Sequence, residues 1–269
     1  MITGTTHGIG RVTSRELAKS GRTVVMLCRD LPAAHAVRDE IRALVPAASV
    51  HTVHCDLASL SSVRASAAAV RSDYGRIALL VNNAGMVSTR HRMSADGFEL
   101  TFATNHLGPF LLTALLLDRL TETARVINVA SRAHFRGRLD LEQIRNPRAG
   151  YNAMAAYAQS KLANVLHAFA LARRLAATRM RVNCLHPGVV ASNLLPRWLR
   201  LIKPLLSREI LDVEHGARTT LHLALGAGEF SGRYFDEHQQ PVPASPLAND
   251  LQLQETLWTT SAVWSGVAQ

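Results

Sequence analysis

The chain has 269 residues, 48% hydrophobic and 19% charged, which supplies one sizeable core and excludes a disordered chain. Its formal charge of +10 comes from arginines scattered along the whole length, with no polybasic run or RNA-binding motif; this argues against nucleic-acid binding and leaves a basic field that favours an anionic ligand. Three cysteines without Cys-x-x-Cys spacing exclude a disulfide framework and a zinc site, and with neither an apolar run of membrane-spanning length nor a leader pattern the expected location is cytoplasmic.

In chain order, Met1-Ile2-Thr3 is a stub of a first strand, shorter than the roughly five residues a central parallel strand supplies. The expectation is a truncated strand or a true start further upstream. A helix is predicted over Gly10 to Ser20, then a strand over Thr23 to Cys28, a helix over Pro32 to Val45, and a strand over Ser49 to Cys55. The alternation continues with helix Leu60 to Tyr74, strand Ile77 to Asn82, helix Ser94 to Leu120 and strand Arg125 to Ala130. Helix Tyr157 to Ala177, strand Arg181 to His186, helix Val213 to Leu225 and strand Gly232 to Asp236 follow, and helix Leu247 to Ser261 comes after a proline-rich loop. This rhythm predicts a single doubly wound α/β domain over residues 1–269, with a mostly parallel sheet and helices on both faces.

Thr3-Gly4-Thr5-Thr6-His7-Gly8-Ile9-Gly10 joins the stub to the first helix, and its glycines let the backbone turn tightly and approach a pyrophosphate at the helix N-terminus. The spacing is Gly-x-x-x-Gly-x-Gly, and alone it is also consistent with a plain glycine-rich turn. At the end of the second strand, Leu27-Cys28-Arg29-Asp30 offers an arginine where a ribose 2′-phosphate would sit, so Arg29 favours NADP(H) while NAD(H) stays open. Tyr157 and Lys161, spaced i, i+4, share a helix face, so the lysine is expected to favour the ionised phenol and make Tyr157 a general acid/base. Ser131 would donate a hydrogen bond to the same substrate oxygen.

These motifs, taken in order, resemble the short-chain dehydrogenase/reductase family across nearly the whole chain. The glycine loop is followed by Asn82-Asn83-Ala84-Gly85 after the fourth strand, Asn105 in the next helix, Ser131 after the fifth strand, Tyr157-Ala-Gln-Ser-Lys161, and Pro187-Gly188 after the sixth. The resemblance implies a Rossmann-type fold and an NAD(P)-dependent oxidoreductase that interconverts a carbonyl and an alcohol. It implies that Ser131, Tyr157, Lys161 and Asn105 form the catalytic set, Lys161 also meeting the nicotinamide ribose and Asn105 extending a proton relay to solvent. Cofactor contacts are implied for Gly4, Thr6, His7, Gly8, Ile9, Gly10, Arg29, Asp56, Leu57, Asn83, Ala84, Gly85, Pro187, Gly188 and Val189.

The long stretch from Arg132 to Ala156, with Ser160-Lys161-Leu162-Ala163-Asn164, Gly232-Arg-Tyr-Phe and Pro246-Leu-Ala-x-Asp250, resembles the branch holding retinol dehydrogenases, the WW-domain oxidoreductase and protochlorophyllide reductase. That implies a lipophilic small-molecule substrate, with His134, Phe135, Leu194 and Trp198 expected at its pocket. Over residues 194–206 apolar and basic residues fall on different helical faces, a pattern of a substrate lid and also of a peripheral membrane contact. A homodimer through the helices carrying Asn105 and Tyr157 is compatible with their apolar faces. The alternative function is a catalytically silent NADP-binding regulatory protein of the same fold, against which the intact Ser131, Tyr157 and Lys161 speak.

Overall fold

The computed structural model describes residues 1–146, 150–188, 212–226 and 228–267. Among these residues lies an eight-stranded sheet in the order β3-β2-β1-β4-β5-β6-β7-β8. Seven strands are parallel: β1 (Ile2–Thr3), β2 (Val24–Cys28), β3 (Val50–His54), β4 (Ile77–Asn82), β5 (Leu120–Val129), β6 (Arg181–Leu185) and β7 (Arg233–Phe235). The short β8 (Pro241–Val242) pairs antiparallel with β7, an addition hidden in the sequence by its prolines. The order reverses between β1 and β4, which opens a crevice at the carboxyl ends of those strands. β1 is two residues long, and Met1 prolongs its pairing by donating its amine to Leu79 O and accepting from Val81 N.

The helices start where side chains satisfy their free amides. Asp30 caps α2 (Leu31–Leu44), Ser59 caps α3 (Leu60–Asp73), Asn152 caps α7 (Ala153–Arg174), Asp212 caps α8 (Val213–Leu225) and Asp250 caps α9 (Leu251–Ser265). α1 (Gly8–Lys19) starts without such a cap, His7 preceding it in an extended conformation with no side-chain hydrogen bond to the helix. Both faces of the sheet are covered. α3, α5 (Gly108–Leu116), α7 and α9 contribute to one apolar core, and α1, α2 and α8 to the other.

Four predicted elements are corrected, one of them the helix expected over Leu247 to Ser261, which follows a 3₁₀ turn at Pro246–Asn249 and runs from Leu251 to Ser265. The helix expected over Ser94 to Leu120 begins only at Leu100: Ser94 to Gly97 form a turn, and Glu99 takes the amides of Thr101 and Phe102 to start α4 (Leu100–Phe102). α4 runs into a π-helical turn, Ala103–Leu107, before α5. The expected strand from Arg125 begins at Leu120, and the helix expected from Tyr157 begins a turn earlier at Ala153. The stretch Leu100–Arg119 has the length and composition to cross a membrane, contrary to the reading of the apolar runs, but 72% of its window is buried inside the structure, as in a core helix. The stretch from Arg132 also carries a 3₁₀ turn, Arg132–Arg136, and α6 (Leu141–Arg145), which Asp140 caps.

Candidate active site

The glycine loop is fastened to the β4 loop rather than free. Asn83 donates its amide to both Thr3 O and Gly4 O, at 2.9 and 3.0 Å, and Thr3 Oγ1 accepts the backbone amides of Asn83 and Ala84. A Cβ on Gly10 would lie 2.2 Å from Gly4 O and 2.5 Å from Asn83 Nδ2, so this closure requires glycine. Gly4 has a positive φ of 68° and its missing side chain makes room for Ala84. The loop delivers the uncapped N-terminus of α1 to the switch point of the sheet, where free amides and the helix dipole suit a pyrophosphate. These residues fit a dinucleotide.

Arg29 is exposed at the end of β2 and makes no ion pair among the described residues, whereas Arg11 of α1 is engaged by Glu40. Asp30 is occupied as the α2 cap, and Cys28 is buried with its thiol 2.9 Å from Thr5 Oγ1. Asp56 Oδ1 accepts the Ala58 amide, the turn-forming role its position allows, and Leu57 is buried with its carbonyl against Gly108. Exposed His7 has its Nδ1 3.0 Å from Thr6 Oγ1. Gly188 turns with φ 77° after Pro187; Val189, Leu194, Trp198 and the whole of 194–206 lie outside the described residues.

Ser131 follows β5 and caps the 3₁₀ turn, its Oγ accepting the Ala133 amide at 3.2 Å, which leaves its hydroxyl proton available to donate. Tyr157 and Lys161 stand on successive turns of α7, with the lysine nitrogen 5.6 Å from the centroid of the phenol ring. The expected depression of the phenol pKa is corrected. Burial pushes the Tyr157 phenol up, and a hydrogen bond with Ser131 opposes this only in part. Burial acts on Lys161 as well: its ammonium is 3% exposed, donates to Val129 O at 2.9 Å, and is brought down to about 8. A phenol that keeps its proton is equipped to act as an acid.

Asn105 sits in the π turn, 1% exposed, with Oδ1 accepting from Met86 N and Nδ2 donating to Met86 O and Ser160 Oγ. A Cβ on Gly85 would lie 3.1 Å from Lys161 Nζ and 3.6 Å from Asn105 Oδ1, so a glycine there keeps these two groups within sight of each other. Sequence reasoning missed Ser160, whose hydroxyl donates to Tyr157 O while accepting from Asn105. It also missed Thr3, and the only available signal was its place just before the glycine loop. His134 is corrected as a pocket residue: it is fully buried, its Nδ1 on Ser131 O and its Nε2 accepting from Ser245 N, so both ring nitrogens are spent on the backbone. Its neighbour Phe135 is 52% exposed.

The model of the short chain dehydrogenase family matches residues 1–200. The chain belongs to that family. Among its similar relatives are human retinol dehydrogenase 13, 38% identical over 97% of this chain and 82% of the relative, and bovine dehydrogenase/reductase SDR family member 13, 41% identical over 99% and 73%. Among solved structures, an uncharacterized protein from Mycobacterium paratuberculosis aligns with a TM-score of 0.81 at 35% identity, over 99% of this chain and 92% of the other. A 3-ketoacyl-(acyl-carrier-protein) reductase from Brucella melitensis, complexed with NADH, aligns at 0.69 with 26% identity over 87% and 94%. This short-chain dehydrogenase is thus an NAD(P)-dependent oxidoreductase of the retinol dehydrogenase branch, interconverting carbonyl and alcohol groups.

Proposed function

We propose that this enzyme reduces and oxidises a lipophilic carbonyl/alcohol pair with NADP(H), Tyr157 acting as the general acid/base. The observation that carries the reading is the meeting of a Tyr157 phenol hydrogen-bonded to the Ser131 hydroxyl and a buried Lys161 beside the crevice where Asn83 holds the glycine loop. The preference for the phosphorylated cofactor rests on Arg29, exposed and free of ion pairs among the described residues. When bound, the nicotinamide supplies the hydride. Ser131 donates a hydrogen bond to the carbonyl oxygen, and Tyr157 delivers its proton to that oxygen as the carbon is reduced. Lys161 stands 5.6 Å from the phenol ring, and Asn105 and Ser160 hold the second turn of α7 in place while the proton is replaced.

The lipophilic substrate is supported by exposed Phe135 and Met154 on the Ser131 and Tyr157 elements, and by relatives named for retinol. Residues 1–269 are read as one functional unit. Tyr157→Phe, assayed with NADPH and retinal, is expected to lose roughly 100-fold or more in kcat while NADPH binding persists. Retained turnover would sink the acid/base assignment and favour a different proton donor; an inactive parent that still binds NADPH would favour the silent regulator.

A further inference from the structure

Beneath Ser131 lies a chain of buried polar rings for which the mechanism above has no use. Glu237, 22% exposed, meets His186 Nε2 at 2.6 Å, and His186 Nδ1 meets the Tyr234 hydroxyl at 2.7 Å. The Tyr234 ring stacks on His186 with centroids 5.4 Å apart and stands edge-on to His134 at 4.6 Å. His134 in turn meets Ser131 O at 2.8 Å. The tautomers follow from the partners. The Ser245 amide can only donate, so His134 Nε2 accepts and its Nδ1–H donates to Ser131 O. The Glu237 carboxylate accepts, so His186 Nε2 carries a proton and Nδ1 of the neutral ring accepts from the Tyr234 hydroxyl.

His186 is also the residue before Pro187–Gly188, and its backbone amide donates to Phe235 O at 3.0 Å. One stack therefore fastens two loops, the Ser131 turn after β5 and the Pro187–Gly188 turn after β6. We propose that His186, set between Tyr234 and Glu237, is a positioning residue that sets the Ser131 turn against the Pro187–Gly188 turn and so controls the rate of the carbonyl/alcohol reaction. The proposal rests on the assignment of Ser131 to the reacting oxygen. A proton added at His186 Nδ1 turns that nitrogen from acceptor to donor, so the Tyr234 oxygen must accept and the hydroxyl proton loses its partner inside the buried stack. The charged and titratable groups facing His186 are Glu237 and Asp236, which favour that proton, and Arg132 and His134, which oppose it; Tyr234 is the neutral partner. Burial holds the imidazole below its ordinary value.

The test compares Tyr234→Phe and Glu237→Gln with the parent in NADPH-dependent retinal reduction from pH 5 to 8. Tyr234→Phe removes the bond that the neutral ring accepts, so the acid limb of kcat moves to higher pH and kcat at pH 7 falls about 10-fold. Glu237→Gln keeps an acceptor for Nε2–H but removes the charge that favours imidazolium, so the acid limb moves to lower pH. Opposite shifts, with KM for NADPH changed less than kcat, are the expected result. An acid limb that stays fixed in both folded variants overturns the proposal, as does a shift of the same sign in both. Tyr157→Phe is run alongside: if it stays active the site assignment fails and this inference with it, and if it is dead while the two variants behave as the parent, only the inference fails. Should a variant not fold, the parent's His186 imidazole, followed by NMR through the same pH range, must titrate with the acid limb; a mismatch refutes the proposal.

Discussion

Lys161→Met in the cofactor-free protein is expected to raise stability while abolishing turnover. The native ammonium is 3% exposed and its pKa falls from 10.5 to about 8, with burial as the cause. That displacement corresponds to roughly 3 kcal/mol of destabilisation at pH 7. Met fills a similar volume without the charge and forfeits the hydrogen bond to Val129 O, worth about 1 kcal/mol. The variant should therefore gain on the order of 2 kcal/mol in urea unfolding at pH 7.

The pH dependence gives the sharper check. Because the native pKa lies below the unfolded one, the penalty is fully present below about pH 8 and disappears as pH rises toward 10.5, where the unfolded chain also gives up the proton. Parent stability should rise relative to the variant across that window. Tyrosines away from this lysine titrate alike in both proteins, and making the comparison in the Tyr157→Phe background removes the phenol 5.6 Å from it. A variant less stable than the parent at pH 7, or a difference that stays constant from about pH 7 to 10, would refute the assignment of a burial penalty to this lysine.

Gly10→Ala would place a methyl 2.2 Å from Gly4 O, so stability should fall by about 1–3 kcal/mol and NADPH affinity by more than about 10-fold, read by urea unfolding and fluorescence titration. Arg29→Ala should weaken NADPH roughly 10- to 100-fold and leave NADH nearly unchanged; equal losses for both cofactors would remove Arg29 from 2′-phosphate recognition.

The parallel sheet was legible because strands buried on both sides write themselves as apolar runs: β2 is buried at all five positions. Element starts were less legible where a side chain outside the apolar pattern decides them. Glu99 starts α4 and Asn152 starts α7, and both lie upstream of the residues that attract attention. The π turn at Asn105 has no periodic signature. The proposed pairing of Tyr157 with Lys161 was legible through its spacing, whereas the environment of each group was not. His134 is held by Ser245, 111 residues away in the chain, and Tyr157 and Lys161 acquire their shifted pKa values from packing that no local spacing encodes.

Asn105 shows how such packing can be interrogated. Its amide is read unambiguously by its partners: one oxygen accepts from Met86 N, and one nitrogen donates to Met86 O and Ser160 Oγ. In Asn105→Asp the protonated acid reproduces the pair with Met86, its carbonyl accepting the amide and its hydroxyl donating to the carbonyl. The ionised acid turns a second acceptor toward Met86 O, in a position 1% exposed. Burial and the Met86 carbonyl raise the variant's carboxyl pKa above its unfolded value of about 3.9, the neighbouring Lys161 ammonium opposing them in part, so its stability is retained below that pH and lost as pH rises through the native pKa. The variant's deficit relative to the parent should be about 2 kcal/mol larger at pH 8 than at pH 4.5. An equal deficit at both values would mean that the Asn105 amide is not fixed by Met86, and the bracket between the β4 loop and α7 would have to be sought in Ser160 alone.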